Sequence, residues 1–341
     1  MIESVHFRNF KVLRDATLPL GQFTLIVGPN GSGKSTALQG LRALSQPDAW
    51  QFKDVASVDL IAKNVANVDL IAGEEAEVEI QCKIDSYVLK VHWERNSNGR
   101  IDDEEEGTMV DGFRKRLREK LRDVSVYSLD ARAMCSPVQI LPQVKLQPDG
   151  SNLAGVLDQL QSEEPERFEA LNLAFGRFIP EFDRILLEAS VPGSKTLLLR
   201  TREGKHKIPA RDISQGTLLA LGMLTIAYLP NPPSVVCFEE PDRGIHPRLL
   251  RDVQDALYRL SHPESDGEMR EPVQVVATTH SPYLLDLYRD HPEEIVIAHK
   301  IGQETRFERL SEQPDLDDIL RDSHLGEVWY TGILGGVPIQ P

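Results

Sequence analysis

The sequence has few cysteines, no long apolar run and no signal-like N-terminus. Its three cysteines, Cys82, Cys135 and Cys237, lie far apart and outside any CxxC motif, which argues against a disulfide framework and a zinc site. The longest apolar stretch, residues 218–229, falls short of the ~20 residues that a membrane helix needs. The first residues lack the charged and apolar regions of a signal peptide. We therefore expect a cytoplasmic protein without membrane contact.

Positive charge is also scarce. There are 38 Lys and Arg against 53 Asp and Glu, so the net charge is −15, and a field of that sign repels phosphate backbones. The exception is the basic segment Arg114–Arg122. Its residues Leu117 and Leu121, together with the preceding Phe113, share one side of a predicted helix. This segment is typical of an amphipathic surface helix, and nucleic-acid or partner contact through it is the alternative.

The hydrophobic pattern predicts a mixed α/β protein. Short apolar segments at residues 5–7, 16–20 and 23–27 predict strands. A glycine-rich loop begins at Gly28, and leucines at helical spacing follow between residues 35 and 44. Alternating residues 76–82 and 87–93 predict a hairpin, residues 153–178 predict two helices, and strand-like segments resume between 184 and 209. The helices thus interrupt a sheet that continues after them.

We expect three regions in the chain. Residues 1–100 and 185–341 form a discontinuous core lobe, residues 108–184 form an inserted, mainly helical lobe, and the acidic segment 99–107 forms a solvated loop. Near the C-terminus, Trp329 and Tyr330 are expected to pack onto the body of the protein.

The strongest chemical motif is G-x-x-x-x-G-K-[ST], the phosphate-binding loop. Its residues are Gly28, Pro29, Asn30, Gly31, Ser32, Gly33, Lys34, Ser35 and Thr36. Backbone N–H groups of such a loop bind phosphates, Lys34 adds a positive charge to the β- and γ-phosphates, and the Ser35 hydroxyl is a ligand for Mg²⁺. The apolar strand before it and the helix after it provide the context that the motif requires. The sequence therefore predicts a nucleotide site formed by residues 29–36.

Two later strands also end in reactive side chains. Residues 234–238 form an apolar run followed by Glu239 and Glu240, and residues 273–279 form another followed by His280. Ligands of open α/β sheets bind at the carboxyl ends of strands. We assign Glu239 to Mg²⁺, Glu240 to the role of general base or water-positioning residue, and His280 to contact with the γ-phosphate.

The order of these motifs resembles that of ABC-type ATPases. Between the loop and the glutamate pair stands Ser214-Gln215-Gly216-Thr217, before an apolar helix. The segment from Phe7 to Lys11 and the loop together resemble the RecF, SMC and OLD group. Stand-alone bacterial AAA-like ATP-binding proteins are the most similar, through residues 149–153, Glu239-Glu240-Pro241 and residues 244–247.

This resemblance implies a P-loop NTPase fold, an ABC-ATPase head with a mixed sheet, an antiparallel β subdomain and an inserted helical lobe. It implies that two ATP molecules are held between two subunits in a head-to-tail dimer, with Ser214 and Gly216 completing the partner's site. It adds Lys11 to the nucleotide-binding residues. It also adds one glutamine to the Mg²⁺ ligands, for which Gln139, Gln143 and Gln147 are candidates, and we choose Gln143.

The sequence departs from the common family pattern in three places. Ser-Gln-Gly-Thr replaces Ser-Gly-Gly-Gln, Glu239 stands where Asp is usual, and His246 stands where an aspartate that couples the subunits is expected. The second change is conservative because either acid can support Mg²⁺. The third leaves open how the two subunits are coupled.

We expect an ATPase that dimerises on binding MgATP and uses hydrolysis to drive or license a partner in DNA repair or phage defence. The segment after His280 is too short for the nuclease domain of OLD proteins, so we expect any nuclease or toxin to be a separate effector. The alternatives are a RecF-like nucleic-acid clamp that uses ATP mainly to dimerise and, less favoured, a monomeric P-loop kinase. A kinase would leave Ser214 and His280 without a role. The interval between Thr36 and Ser214 excludes a long SMC-type coiled coil.

Overall fold

The helices and strands are those of a computed structural model. It describes residues 1–46, 49–56, 77–84, 87–94, 100–104, 121, 123–142, 144–189, 191–302, 304–321 and 323–334. The strands are β1 (Ser4–Phe10), β2 (Leu13–Pro19), β3 (Phe23–Val27), β4 (Glu77–Ile84), β5 (Tyr87–Glu94), β6 (Arg100–Glu104), β7 (Val124–Tyr127), β8 (Val138–Gln139), β9 (Phe182–Ala189), β10 (Ser194–Thr201), β11 (Lys207–Pro209), β12 (Val235–Glu239), β13 (Gln274–Thr279), β14 (Ile295–Ile301) and β15 (Glu304–Arg309). The helices are α1 (Lys34–Ser45), α2 (Phe52–Val55), α3 (Ala131–Met134), α4 (Leu153–Glu163), α5 (Pro165–Phe178), α6 (Gln215–Ala227), α7 (Leu250–Ser261), α8 (Pro282–Asp286), α9 (Leu316–Leu320) and α10 (Leu325–Tyr330).

The chain divides into two compact units, each built from separated segments. The first contains residues 1–126, 234–237 and 274–341, and the second contains residues 127–233 and 238–273. This division differs from the lobes predicted above, and those boundaries stay a prediction about domain organisation.

The first unit contains an antiparallel sheet in the order β2-β1-β4-β5-β6. Its strands alternate because one face packs into an apolar core, as in β1, where Val5, Phe7 and Phe10 are buried. The expected hairpin is present as β4 and β5. The expected loop at 99–107 is wrong for residues 100–104, because these form β6 and pair with β5. Among the described strands, β6 is the last in this sheet order, and charged side chains are common at such positions because they discourage pairing with other chains.

A mixed sheet carries the phosphate loop. Its order is β15-β14-β3-β13-β12-β7, and β3 pairs in parallel with both β13 and β14. Every residue of β3 is buried, as expected of a strand with neighbours on both edges and covered faces. The sheet confirms the mixed α/β fold class. Gly28, the first residue of the phosphate loop, directly follows this fully buried strand.

Gln274 joins the start of β13 to the N-terminus. Its Oε1 accepts a hydrogen bond from the Ile2 N–H at 2.9 Å, and its Nε2 donates to the Ile2 carbonyl at 2.7 Å and to the Gly21 carbonyl at 2.8 Å. Because Gln274 and Ile2 are buried, the two bonds between them satisfy polar groups that are shielded from water.

The segment after β13 is held by the C-terminal helix. The Gly326 N–H, in the first turn of α10, donates to Asp286 Oδ1 at 2.7 Å, and a Cβ on Gly326 would lie 2.3 Å from the Pro282 carbonyl oxygen. Trp329 is buried as expected, whereas Tyr330 is 74% exposed, so the expectation that both pack inward is wrong for Tyr330. Two consecutive positions on a helix point about 100° apart and need not share a buried face.

The second unit contains the inserted helices and a four-stranded sheet. β10 pairs with β9 along one edge and with β8 and β11 along the other, and α4 and α5 bury their apolar sides within this unit. Nearly all of α6 is buried, which explains its almost uninterrupted apolar sequence. Among the helices that the structure describes, none is long and apolar enough to cross a membrane.

Candidate functional site

The phosphate loop joins buried strand β3 to helix α1. Gly31 and Gly33 have φ values of 74° and 93°, which L-residues with side chains rarely adopt. Gly33 immediately precedes α1 and has no side chain that could cap it. The first N–H groups of this 12-residue helix therefore receive no hydrogen bond acceptor from the side chain of their N-cap residue. Free N–H groups at such a helix start attract anions.

Lys34 lies inside this loop. Its side chain is buried, and its ammonium donates to the carbonyls of Gly28 at 2.8 Å and Pro29 at 2.9 Å. A buried ammonium needs compensating hydrogen bonds, and here the loop's own carbonyls provide them. The cation is thus held within the turn that would surround a phosphate.

Ser32, Ser35 and Thr36 provide the hydroxyls of the loop. Within the described part of the chain the buried Ser32 Oγ has no hydrogen-bond partner, an arrangement that costs free energy unless a ligand supplies an acceptor. Ser35 is exposed and Thr36 half-buried. A Cβ on Gly28 would approach the Ala298 carbonyl oxygen to 2.5 Å, so only glycine fits there. The loop therefore fits a polyphosphate ligand.

Lys11 lies elsewhere in the first unit, in a left-handed turn between β1 and β2 with φ 51°. Its ammonium donates to Gln39 Oε1 at 2.7 Å and lies 5.2 Å from the centre of the Trp50 ring. Partial burial lowers the pKa of Lys11, while the charge of Asp54 acts in the opposite direction. Lys11 thus bonds to a residue of α1, the helix that begins at the loop, and its nucleotide contact stays a prediction.

The glutamate pair follows an apolar strand, as predicted. Val235–Phe238 are buried and Glu239 is half-buried at the end of β12. Glu240 adopts φ 49°, a conformation that costs a residue with a Cβ ~1–2 kcal/mol, and its carbonyl accepts from the Arg243 N–H at 3.0 Å. Strain of this kind clusters at functional sites.

Both glutamates line a small cleft in the second unit. Tyr127 and Arg243 also line the cleft, and its other lining residues are apolar: Leu129, Leu219, Met223, Phe238 and Pro241. Arg243 is anchored by a hydrogen bond from Nη2 to the Leu129 carbonyl at 3.3 Å. The carboxylates thus stand beside an apolar wall and a fixed cation.

Ser214 and Gly216 lie at the start of α6. Ser214 is the N-cap, and its Oγ accepts from the Thr217 N–H at 3.2 Å, which satisfies one of the free donors of the helix. Ser214 and Gln215 are exposed. A Cβ on Gly216 would lie 2.4 Å from the Gly244 carbonyl oxygen, so this helix start packs on the turn that follows Glu240.

His280 follows β13 and is half-buried. The next residue, Ser281, accepts from the Leu284 N–H at 3.3 Å to cap α8, and its own N–H donates to Thr279 Oγ1 at 2.9 Å. His280 is therefore fixed between a buried strand and a capped helix. His246, which stands where an aspartate was expected, accepts from the Arg248 N–H at 3.2 Å and caps a short turn.

The donors assigned to Mg²⁺ suit that ion. Mg²⁺ prefers oxygen ligands and is usually held by one or two carboxylates together with substrate phosphates, which fits Ser35 and Glu239. No group of three or more His, Cys, Asp and Glu side chains that could hold a metal occurs among the described residues. Gln143 and the basic residues of Arg114–Arg122 lie outside the described residues, so both expectations stay predictions.

The hairpin of β14 and β15 is a part of the site that no motif of the sequence predicted. Ala298 in β14 and Thr305 in β15 contact the phosphate loop at Gly28 and Gly33, respectively. The apolar run of residues 295–298 and the turn at Gly302 could have indicated this hairpin. Neither the apolar run nor the turn indicates that β14 pairs with β3.

A family model described as "AAA domain, putative AbiEii toxin, Type IV TA system" matches residues 23–286. An "OLD nuclease" of Thermus scotoductus is 25% identical over 85% of this chain, and the match covers 60% of that protein. The chain thus spans about 60% of the length of this relative. The "Sulfate/thiosulfate import ATP-binding protein CysA" of Synechocystis is 37% identical over 18% of this chain and 19% of its own.

Solved SMC heads share the fold. The SMC head bound to the C-winged helix domain of ScpA superposes with a TM-score of 0.57 at 15% identity, over 90% of this chain and 96% of that one. A head with an extended coiled coil, bound to the C-terminal domain of ScpA derived from Pyrococcus furiosus, gives a TM-score of 0.54 at 13% identity, over 94% and 99%. These likenesses confirm the expected ABC-ATPase head architecture.

Proposed function

Because this chain belongs to the AAA family whose model spans residues 23–286, and is an ATPase of the RecF, SMC and OLD type, we propose that it binds MgATP at the phosphate loop and hydrolyses it in a cytoplasmic head-to-tail dimer. The observation that carries the proposal is the loop itself. It combines two glycines at positive φ, a buried Lys34 ammonium and a buried hydroxyl of Ser32 without a partner in the described residues.

In this proposal the loop binds and orients the triphosphate. N–H groups at the start of α1 and the Lys34 ammonium replace the water that hydrates the phosphates. Ser35 and Glu239 hold Mg²⁺, which neutralises phosphate charge when bound. Binding transfers hydrogen bonds of Lys34 from loop carbonyls to phosphate oxygens.

Glu240 and His280 act on the reacting end of the nucleotide. Glu240 holds the attacking water and accepts its proton, since a carboxylate on a fixed backbone is a suitable general base. His280 donates a hydrogen bond to the γ-phosphate and so distinguishes ATP from ADP. Ser214 and Gly216 of one subunit cover the nucleotide of the other, which the exposure of Ser214 supports.

The test is the solution mass of Glu240→Gln with and without MgATP, measured by light scattering after size exclusion. We expect monomers without nucleotide and dimers with it, because this variant retains ATP but hydrolyses it ~10²–10⁴-fold more slowly. Lys34→Ala should lose nucleotide binding. Glu264→Gln, which removes an exposed carboxylate of the same unit, should keep normal turnover.

Three results would contradict the proposal. Normal ATP affinity of Lys34→Ala would remove the loop from nucleotide binding. Near-normal turnover of Glu240→Gln would remove Glu240 from its role. A monomer that binds MgATP without a change in mass would overturn the head-to-tail dimer.

We further propose that the ATPase serves a separate effector, such as a nuclease or toxin. Support comes from the matched relative, which is named a nuclease, and from the toxin in the family description. The purified chain should hydrolyse ATP without degrading DNA. Degradation of DNA by this chain alone would contradict a separate effector.

A nucleic-acid clamp remains the alternative function, and the basic sequence of Arg114–Arg122 is the observation that favours it. Salt-dependent DNA binding that falls when this segment is neutralised would favour it.

A further inference from the structure

The hairpin of β14 and β15 contacts the phosphate loop along its length. A Cβ built on Gly28 would lie 2.5 Å from the Ala298 carbonyl oxygen, one on Gly31 would lie 3.4 Å from Lys300 Nζ, and one on Gly33 would lie 3.2 Å from Thr305 Oγ1. Three successive glycines of the loop thus each face a different residue of the hairpin. The hairpin is one wall of the site.

Strand register determines which hairpin side chains face the loop. Lys300 pairs with Thr305, and side chains of directly paired residues lie on the same face of a sheet. Thr305 is buried against Gly33, and the Lys300 ammonium reaches Gly31 from the same face. The next pair, His299 and Arg306, lies on the opposite face because side chains alternate along a strand.

Lys300 differs from the loop's own lysine in exposure. Lys34 is buried and bonded to two carbonyls, whereas Lys300 is exposed, and among the described residues no carboxylate forms an ion pair with it. In a chain of net charge −15, an ammonium without a carboxylate partner beside an anion-binding loop is a local source of positive potential. A packing role does not account for it, because its neighbour Gly31 is also exposed.

We propose that Lys300 is a second phosphate-binding lysine, whose ammonium contacts the polyphosphate of the nucleotide held by the loop. The proposal rests on nucleotide binding at this loop and extends it to a residue outside the motif. Lys34 approaches the phosphates from the buried side and Lys300 from solvent. Charge-assisted hydrogen bonds are the stronger ones in proteins, so Lys300 contributes chiefly to affinity.

The test compares four variants by calorimetric titration with MgADP and with the slowly hydrolysed analogue MgATPγS. Lys300→Gln should weaken binding about 10-fold, which is typical for loss of one charge-assisted contact, and the deficit should shrink at high salt. Lys300→Arg should remain within about 3-fold of the wild type because it keeps the charge. Arg306→Gln, an equal charge change on the opposite face of the hairpin, should bind normally, and Lys34→Ala should not bind.

Melting of the unliganded proteins provides the second readout. Since Lys300 is exposed, Lys300→Gln should unfold at the wild-type temperature. If the wild-type chain binds nucleotide and Lys300→Gln binds it with equal affinity, the role of Lys300 is overturned while the proposed function stands. An equal loss of nucleotide affinity in Arg306→Gln would have the same meaning. Failure of the wild-type chain to bind either nucleotide would overturn the proposed function and this inference together.

Discussion

Gly216 lies directly against Gly244 in the second unit, so closely that a Cβ on Gly216 would come within 2.4 Å of the Gly244 carbonyl oxygen. Gly216 is in the first turn of α6, which Ser214 caps, and Gly244 is in the turn that follows Glu240. The helix start that would serve the partner's nucleotide therefore contacts the turn that follows the residue that would activate water.

Gly216→Ala should force this contact apart. Because the obstructing atom is backbone rather than a flexible side chain, we expect a loss of ~1–3 kcal/mol in the free energy of unfolding, together with loss of MgATP-dependent dimerisation. Urea unfolding and light scattering measure the two effects. Gly155→Ala is the matched control, because its Cβ meets only a Val138 methyl at 3.1 Å. Equal stability of both variants would contradict the close contact.

Glu240→Gly should separate stability from activity. Glycine tolerates the φ of 49° at this position, so we expect stability to rise by ~0.5–1 kcal/mol or stay unchanged, while ATP hydrolysis is lost. Glu240→Gln should lose hydrolysis without that gain. Asp315→Gly, at φ 57° outside the site, should be at least as stable as wild type with normal turnover. A clear destabilisation by Glu240→Gly would argue against strain there.

Gln274→Met should destabilise the first unit. The substitution keeps the length of the side chain but removes three hydrogen bonds, two to the buried backbone of Ile2 and one to the half-buried Gly21 carbonyl. We expect a cost of ~2–4 kcal/mol by denaturant unfolding. Gln313→Met, at a half-exposed position, should cost little. A near-neutral Gln274→Met would mean that these groups find other partners.

Asp183 should stabilise the fold in a pH-dependent way. Hydrogen bonds from Arg200 and Lys205 hold the pKa of its carboxyl far below the usual value. A depressed folded-state pKa gives stability that is present above the unfolded pKa of ~4 and is lost as pH falls through the folded-state value. Asp183→Asn should therefore be less stable than wild type at pH 7, and the difference should shrink steadily below about pH 4. A difference independent of pH would contradict this.

The cysteines should react slowly and unequally with a thiol reagent. Burial raises the pKa of Cys82 to about 12 and also raises that of Cys237, so neither presents a thiolate near neutral pH. Burial together with the charges of Asp130 and Asp212 raises the pKa of the half-buried Cys135. We expect only Cys135 to react in the native protein, slowly, and all three thiols to react in guanidinium. Rapid labelling of Cys82 or Cys237 would show that their surroundings open.

The elements that the sequence predicted are those with local signals. The phosphate loop, β3, α1 and the hairpin of β4 and β5 follow from motif spacing and from periods of two or 3.6 residues. The wall formed by Lys300 and Thr305 could not be predicted, because it depends on β14 pairing with β3 across most of the chain.

Two expectations erred for different physical reasons. Residues 100–104 include three acidic side chains yet form a strand that pairs with β5, because backbone hydrogen bonding does not require apolar side chains. Tyr330 is exposed beside a buried Trp329. Composition alone could not predict this difference, because it does not indicate which face of α10 packs against the rest of the protein.

The pairing of β3 with β13 and β14 also constrains the order of folding during synthesis. β3 emerges from the ribosome long before its sheet neighbours β13 and β14, which are both encoded after residue 273. Contacts so distant in sequence form slowly, since a long loop must close first. A nascent chain therefore exposes the apolar strand that precedes its phosphate loop until β13 and β14 have been translated, and chaperones can act at that strand during this interval.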